Sequence, residues 1–185
     1  TRLSHMLHDL PKSLAPVAGK AFLKYIIDFL IEQKINHFIF SVGHKHEAIL
    51  DFVQRNYPYL KVDYCIEQVP LGTGGAILAS MKYVQTDSVF VVNSDTYYGV
   101  DFDWLEKNHQ QYNATFSVAL KPMLRPQRYG TVNIDEKSRI IEFVEKKESA
   151  YGLINGGIYL IEKEYFLQKK LPPNFSLEKD FFEKF

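Results

Sequence analysis

Apolar residues first recur at helical spacing in A-F-L-K-Y-I-I-D-F-L-I-E-Q, where Leu23, Ile26, Ile27, Leu30 and Ile31 share one face and predict an amphipathic helix. The run H-F-I-F-S-V at 37–42 predicts a strand, and a second helix follows over 46–56. A strand at 62–66, a turn at 69–75, a helix over 76–82 and the apolar strand S-V-F-V-V at 88–92 continue the alternation. Continuous apolar strands between amphipathic helices predict a parallel sheet covered on both faces, with ligands gathered beyond the strands' carboxyl ends. After a helix over 101–112 the pattern changes. T-F-S-V-A-L-K, G-T-V-N-I-D, R-I-I-E-F-V-E and G-G-I-Y-L-I are closely spaced strands that add mixed or antiparallel pairing. Ser176 is placed to cap a last helix over 177–185. The expected architecture is α/β, one domain over 1–185, built on a mixed, mostly parallel central sheet with helices on both faces. No linker, internal repeat or low-complexity segment interrupts it.

Composition narrows the function. The 185 residues are 46% hydrophobic, enough for a sizeable core. The 22 basic and 22 acidic residues cancel, so no global field recruits nucleic acid or an anionic membrane, and any phosphate must be met by local charge. The single cysteine, Cys65, lies in the apolar run V-D-Y-C-I and reads as a buried strand residue in a reducing, cytoplasmic compartment. No run approaches a spanning helix. A homo-oligomer is compatible with this composition.

Three stretches carry candidate chemistry. The first, T-R-L-S-H-M-L-H-D-L-P-K-S-L-A-P-V-A-G-K, opens the chain and holds Arg2 and Lys12 in a segment punctuated by Pro11, Pro16 and Gly19. A forked guanidinium and a compact ammonium fixed in a rigid loop suit a polyphosphate, although a solvated surface loop carries the same charges. The second, E-Q-V-P-L-G-T-G-G-A at 67–76, joins a strand to a helix, and its glycines let a backbone approach a flat or anionic ligand. Its spacing is not that of a dinucleotide fold, and a plain glycine-rich turn reads equally well. The third, V-V-N-S-D, ends an apolar strand at Asp95, a carboxylate able either to hold a hard divalent cation or to cap a turn. A rival metal reading, H-K-H at 44–46 with His5, His8 and Asp9, lacks the further ligands of a structural zinc site. Tyr and Phe are scattered through apolar elements rather than interleaved with basic residues, which suits core packing.

Thr1, Arg2 and Leu3, then Pro11, Lys12, Leu14, Pro16, Val17, Gly19 and Lys20, match the T-R-L and P-K-x-L-x-P-V-x-G-K elements of the sugar-1-phosphate nucleotidyltransferases in order and spacing. The chain resembles that family. The form D-L-P-K-S-L-A-P-V, with no P-L-T after the Arg, is most similar to the branch that joins GTP to D-glycero-α-D-manno-heptose 1-phosphate. The resemblance implies a Rossmann-like nucleotidyltransferase fold and an enzyme making a nucleotide-sugar and pyrophosphate for cell-surface polysaccharides. It also implies a first strand with a glycine-rich turn ahead of Thr1, and a second metal carboxylate in a D-x-G segment beyond Phe185. By the same resemblance Thr1, Arg2, Lys12, Gln68, Gly72 and Thr73 bind the nucleotide. Asp95 holds Mg²⁺, and Tyr129, Gly130, Glu145, Lys146 and Asn155 bind the sugar phosphate. Arg2, Lys12, Asp95 and Lys146 form the catalytic set. Two alternatives stay open: a hexose 1-phosphate enzyme using GTP, dTTP or UTP, and a non-catalytic regulatory module. A kinase would need a P-loop, and the chain has none.

Overall fold

In the computed structural model, residues 10–144 and 148–182 are described. A 3-10 turn at Lys12–Leu14 leads into a short hairpin, β1 (Pro16–Val17) and β2 (Lys20–Ala21), and then α1 (Phe22–Glu32). The expected apolar face forms: Leu23, Ile26, Ile27 and Leu30 are buried. There follow β3 (His37–Val42), α2 (His46–Asn56), β4 (Lys61–Ile66), α3 (Gly72–Ser80), β5 (Ser88–Val92) and α4 (Phe102–Gln111). The Asp101 side chain caps α4 by accepting from Trp104 N at 2.9 Å. The second half contains β6 (Phe116–Leu124), β7 (Thr131–Ile134), β8 (Ile140–Val144), the long β9 (Tyr151–Glu162) and α5 (Lys163–Gln168). A π-helical turn, Leu177–Phe182, takes the place of the last predicted helix, and Ser176 Oγ accepts from Lys179 N as a cap.

The α/β class and helices on both faces hold, and alternation along β5 shows why. Phe90 and Val92 pack into a cluster with α1, α2 and α4, centred on Ile27, Val53, Phe102 and Ile158. Val89 and Val91 pack on the other face with α3, α5 and the π-helical turn, around Tyr159, Ile161, Phe166 and Phe181. Each fully buried side chain of this kind stabilises by about 1.5–3 kcal/mol.

The expectation of mostly parallel pairing is corrected. Among the described residues, β3 and β4 form the one parallel ladder. β5 instead runs antiparallel to β9, which also pairs antiparallel with β6 and β7, and β7 with β8. Burial on both faces makes an apolar run continuous whichever way its neighbour runs, so composition along β5 carries no directional signal. A cavity of about 360 Å³ separates β3 from β5. Consecutive residues of both strands line it, 37–41 and 89–92, so it runs along facing strand edges rather than against a sheet face. Among the described residues no helix is long and apolar enough to cross a membrane.

Candidate active site

Lys12 is exposed at the head of the 3-10 turn, while Ser13 and Leu14 beneath it are buried. Leu14 belongs to the same apolar cluster as Val92, Tyr98 and Ile158, which anchors the Lys12 turn to the core that carries the end of β5. Beyond β5, Asp95 is exposed, and its Oδ1 accepts a weak hydrogen bond of 3.3 Å from Thr96 Oγ1. Its carboxylate is therefore open to a ligand on most sides. Among the described residues no group of three or more His, Cys, Asp or Glu gathers to hold a metal. A single exposed carboxylate still fits magnesium, which is usually held by one or two carboxylates together with substrate phosphates.

The strand end bearing Asp95 is laid directly on β9. Asn93 N donates to Gly157 O at 2.9 Å, and Gly157 adopts φ +74° at a point where a Cβ would lie 2.8 Å from Asn93 Nδ2. A Cβ on Gly156 would strike the Tyr98 ring and the Ala119 carbonyl. N-G-G at 155–157 is thus neither a turn nor a loop but an irregularity inside β9. The β6 register steps there from Val118↔Tyr159 to Leu120↔Asn155. Asn155 is half-buried: its Nδ2 donates to Tyr159 Oη at 2.8 Å and its Oδ1 accepts from Gly157 N at 2.9 Å. The structure therefore brings Asn155 beside the Asp95 strand end. Tyr129 and Gly130 are exposed at the start of β7, where Tyr129 N donates to Pro126 O. Thr1, Arg2, Glu145 and Lys146 lie outside the described residues.

At the carboxyl ends of β3 and β4 a second cavity, about 660 Å³, is lined by residues 43–47 and 66–70. Gln68 is exposed there. The better-held group is its neighbour Glu67, which sequence reasoning missed. Its Oε1 accepts from Ser41 Oγ and its Oε2 from Leu71 N, both at 3.1 Å. Two neutral donors fix the carboxylate and leave each oxygen a further lone pair. In the E-Q pair the only available sign was the strand's alternation, since one donor, Ser41, comes from β3 and the other is a main-chain amide that no residue type marks. The rival H-K-H segment borders the same cavity, where His46 Nδ1 donates to Gly43 O at 3.1 Å.

The helix after this loop starts at Gly72 rather than 76, and its glycines serve an approach by the chain itself. Gly74 N and Gly75 N donate to Phe175 O at 3.0 and 3.3 Å, and Leu177 N donates to Thr73 Oγ1 at 2.9 Å. Gly72, at φ +71°, is also crowded: a Cβ there would lie 2.6 Å from Phe175 O.

Burial raises the Tyr159 phenol to about 12, with the charge of Glu178 adding to the shift and the amides of Asn155 and Asn93 opposing it. Burial also raises Tyr64, and burial with the Asp28 hydrogen bond raises Tyr57. Above pH 10 the unfolded chain releases tyrosine protons that the folded chain keeps, so stability falls from pH 10 toward pH 12. Thermal melts across that window are expected to show a falling midpoint; a flat profile would contradict the burial of these hydroxyls.

Comparison with known proteins gives the family. The family model described as "Nucleotidyl transferase" matches residues 1–184. The chain is 42% identical to D-glycero-alpha-D-manno-heptose 1-phosphate guanylyltransferase of Aneurinibacillus thermoaerophilus, over 99% of this chain and 79% of that one. It is 40% identical to the protein of the same name from Campylobacter jejuni, over 97% and 79%. The crystal structure of HddC from Yersinia pseudotuberculosis complexed with GMP-PN superposes with a TM-score of 0.86 at 33% identity, covering 96% of this chain and 78% of that one. The chain belongs to the nucleotidyl transferase family.

Proposed function

We propose that this chain joins GTP to D-glycero-α-D-manno-heptose 1-phosphate, releasing pyrophosphate and a nucleotide-sugar used for cell-surface polysaccharide in the cytoplasm. The likeness to two heptose 1-phosphate guanylyltransferases at 40% identity or more supports the substrate pair. The single observation from the site that carries the base is the clamped Glu67 carboxylate. Guanine alone among the common bases presents two adjacent donors, N1–H and N2–H, to one carboxylate. The sugar 1-phosphate is already an anionic nucleophile, so its oxygen attacks the α-phosphorus with no general base. An O–P bond forms there, the bond to the β-phosphate oxygen breaks, and pyrophosphate leaves with the electron pair.

The chain's own work is to align two polyanions and meet the charge that develops on the leaving group. Arg2 and Lys12 take the triphosphate and pyrophosphate, with Thr1, Gln68, Gly72 and Thr73 along the nucleotide. Lys146 takes the acceptor phosphate, Glu145 and Asn155 the sugar hydroxyls, and Tyr129 with Gly130 the sugar face. Asp95 would hold magnesium, which supplies charge neutralisation on the phosphates when bound. The apolar cavity between the facing edges of β3 and β5 supports one more element of the family reading, a further strand running between them.

Four nucleoside triphosphates screened against hexose and heptose 1-phosphates, with pyrophosphate as readout, test the proposal. GTP with the manno-configured heptose 1-phosphate is expected to turn over fastest. Turnover of glucose 1-phosphate with dTTP or UTP and none with GTP would overturn it, and no turnover with any pair would favour a binding module. Glu67→Gln is expected to raise KM for GTP by about 5- to 150-fold, since a bidentate base contact is worth about 1–3 kcal/mol. An unchanged preference among the triphosphates in that variant would remove Glu67 from the base site.

A further inference from the structure

Tyr159 is 2% exposed in the middle of β9 and belongs to the apolar cluster of Ile77, Phe116, Ile161, Phe166 and Phe181, yet it carries a hydroxyl. A buried hydroxyl is costly unless it is bonded, and here its partners are two amides that belong to the site. Asn155 Nδ2 donates to it at 2.8 Å, and the Asn93 side chain interacts with the same oxygen. Asn93 precedes Asp95 by two residues, so one phenol stands between the strand end that bears Asp95 and the amide on the sugar side. The irregularity in β9 makes this meeting geometrically feasible. At Gly157, with its positive φ, the chain turns its N–H to Asn155 Oδ1 and its carbonyl to Asn93 N at once.

That second bond settles which way the Asn155 amide points. Gly157 N is a donor, so the atom facing it must be Oδ1, and Nδ2 must then face Tyr159. With both contacts made, Asn155 keeps one N–H and one lone pair, a donor and an acceptor on adjacent atoms. Such a pair matches one sugar hydroxyl that accepts and its neighbour that donates. Without the phenol, the Gly157 bond alone would hold the amide, and it could swing about its own χ2.

We propose that Tyr159 is a positioning residue for the acceptor side of the reaction: its hydroxyl locks the Asn155 amide in the orientation that reads vicinal sugar hydroxyls and fixes its distance from the Asp95 strand end. The inference rests on the functional reading above for its substrate, and on the hydrogen-bond geometry for its mechanism. Tyr159 acts through Asn155 and Asn93 and does not itself touch substrate.

Tyr159→Phe keeps the ring and removes the bridge. The expected result in the full chain is a rise in KM for the sugar 1-phosphate of about tenfold, with kcat and KM for GTP within about twofold of wild type. A purely structural role would instead lower the active fraction, so that kcat fell while both KM values held, and that outcome overturns the proposal. In the double variant with Asn155→Ala, the rise is expected to equal that of Asn155→Ala alone, because both remove one unit; additive losses also overturn it. The Asn155 side-chain amide, assigned in ¹⁵N NMR by its loss in Asn155→Ala, gives a reading that needs no turnover. Slow proton exchange of that amide is expected in the wild-type chain. Fast exchange there overturns the proposal even if Tyr159→Phe does not fold. A wild-type chain inactive with every substrate pair, but with a protected Asn155 amide, would overturn the functional reading and leave the lock standing.

Discussion

Asp95→Asn is expected to keep the fold and lower turnover by about 10²–10³-fold, the loss typical of removing one preorganised charge-stabilising group. The expectation starts from position. The apolar run 88–92 is pinned between α-helices on both faces, and the chain leaves it under a main-chain bond from Asn93 N to Gly157 O. Asp95 therefore projects from a fixed strand end, exposed, and among the described residues only the Thr96 hydroxyl, at 3.3 Å, draws on its oxygen. The amide has the same shape and lacks the charge, so packing is untouched and the thermal midpoint should move by no more than about 2 °C, as for an exposed site. Initial rates at rising magnesium and a thermal melt check both halves. Wild-type turnover at saturating magnesium would take Asp95 out of the site.

Gly75→Ala is expected to destabilise by about 2 kcal/mol, lowering the midpoint by about 4–8 °C in a chain of this size. Two opposed effects decide the sign. Alanine in a helix gains about 1 kcal/mol over glycine by propensity. Against that, a Cβ at Gly75 would overlap the Pro173 carbonyl oxygen and lie 3.0 Å from Leu71 Cβ. The carbonyl belongs to a main chain held immediately after it, by Asn174 Nδ2 donating to Pro70 O and Phe175 N donating to Leu71 O, which resists its moving away. Overpacking wins. Thermal melts and KM for GTP together separate this from a role in ligand approach: a normal midpoint with weakened GTP binding would mean that the glycine serves the nucleotide instead.

Much of the frame was legible because its causes are local. α1 follows from the spacing of Leu23, Ile26, Ile27 and Leu30, and β5 from an unbroken apolar run, while α4 was read over 101–112 without its Asp101 cap. What escaped reading depends on partners far away in sequence. The glycines at 72, 74 and 75 looked like a turn because the segment they accommodate, 173–175, is about a hundred residues on. The irregularity at N-G-G inside the G-G-I-Y-L-I strand was not legible, because Asn93 and Tyr98, which it makes room for, come from the end of another strand and the loop after it. Glu67 was passed over for Gln68 because one of its donors, Ser41, is 26 residues back and the other is the nearby Leu71 main-chain amide, which residue type does not mark. The ordering of Asp95 before Asn155 was readable, whereas the phenol standing between their strands was not.

The Phe175 carbonyl at the start of α3 has a consequence for the direction in which a nucleotide can lie. A helix start offers free amides and a partial positive charge, which ordinarily draws phosphate. Here Gly74 N and Gly75 N already spend their hydrogens on the oxygen of Phe175, a dipole whose negative end cancels part of that field. The helix start is thus partly quenched, and a triphosphate brought to it gains less than at an open helix end. A flat, uncharged base loses nothing by sitting there. In the proposed reaction, one main-chain oxygen contributed from late in the chain would favour a nucleotide with its base toward α3 and its phosphates toward the Lys12 turn.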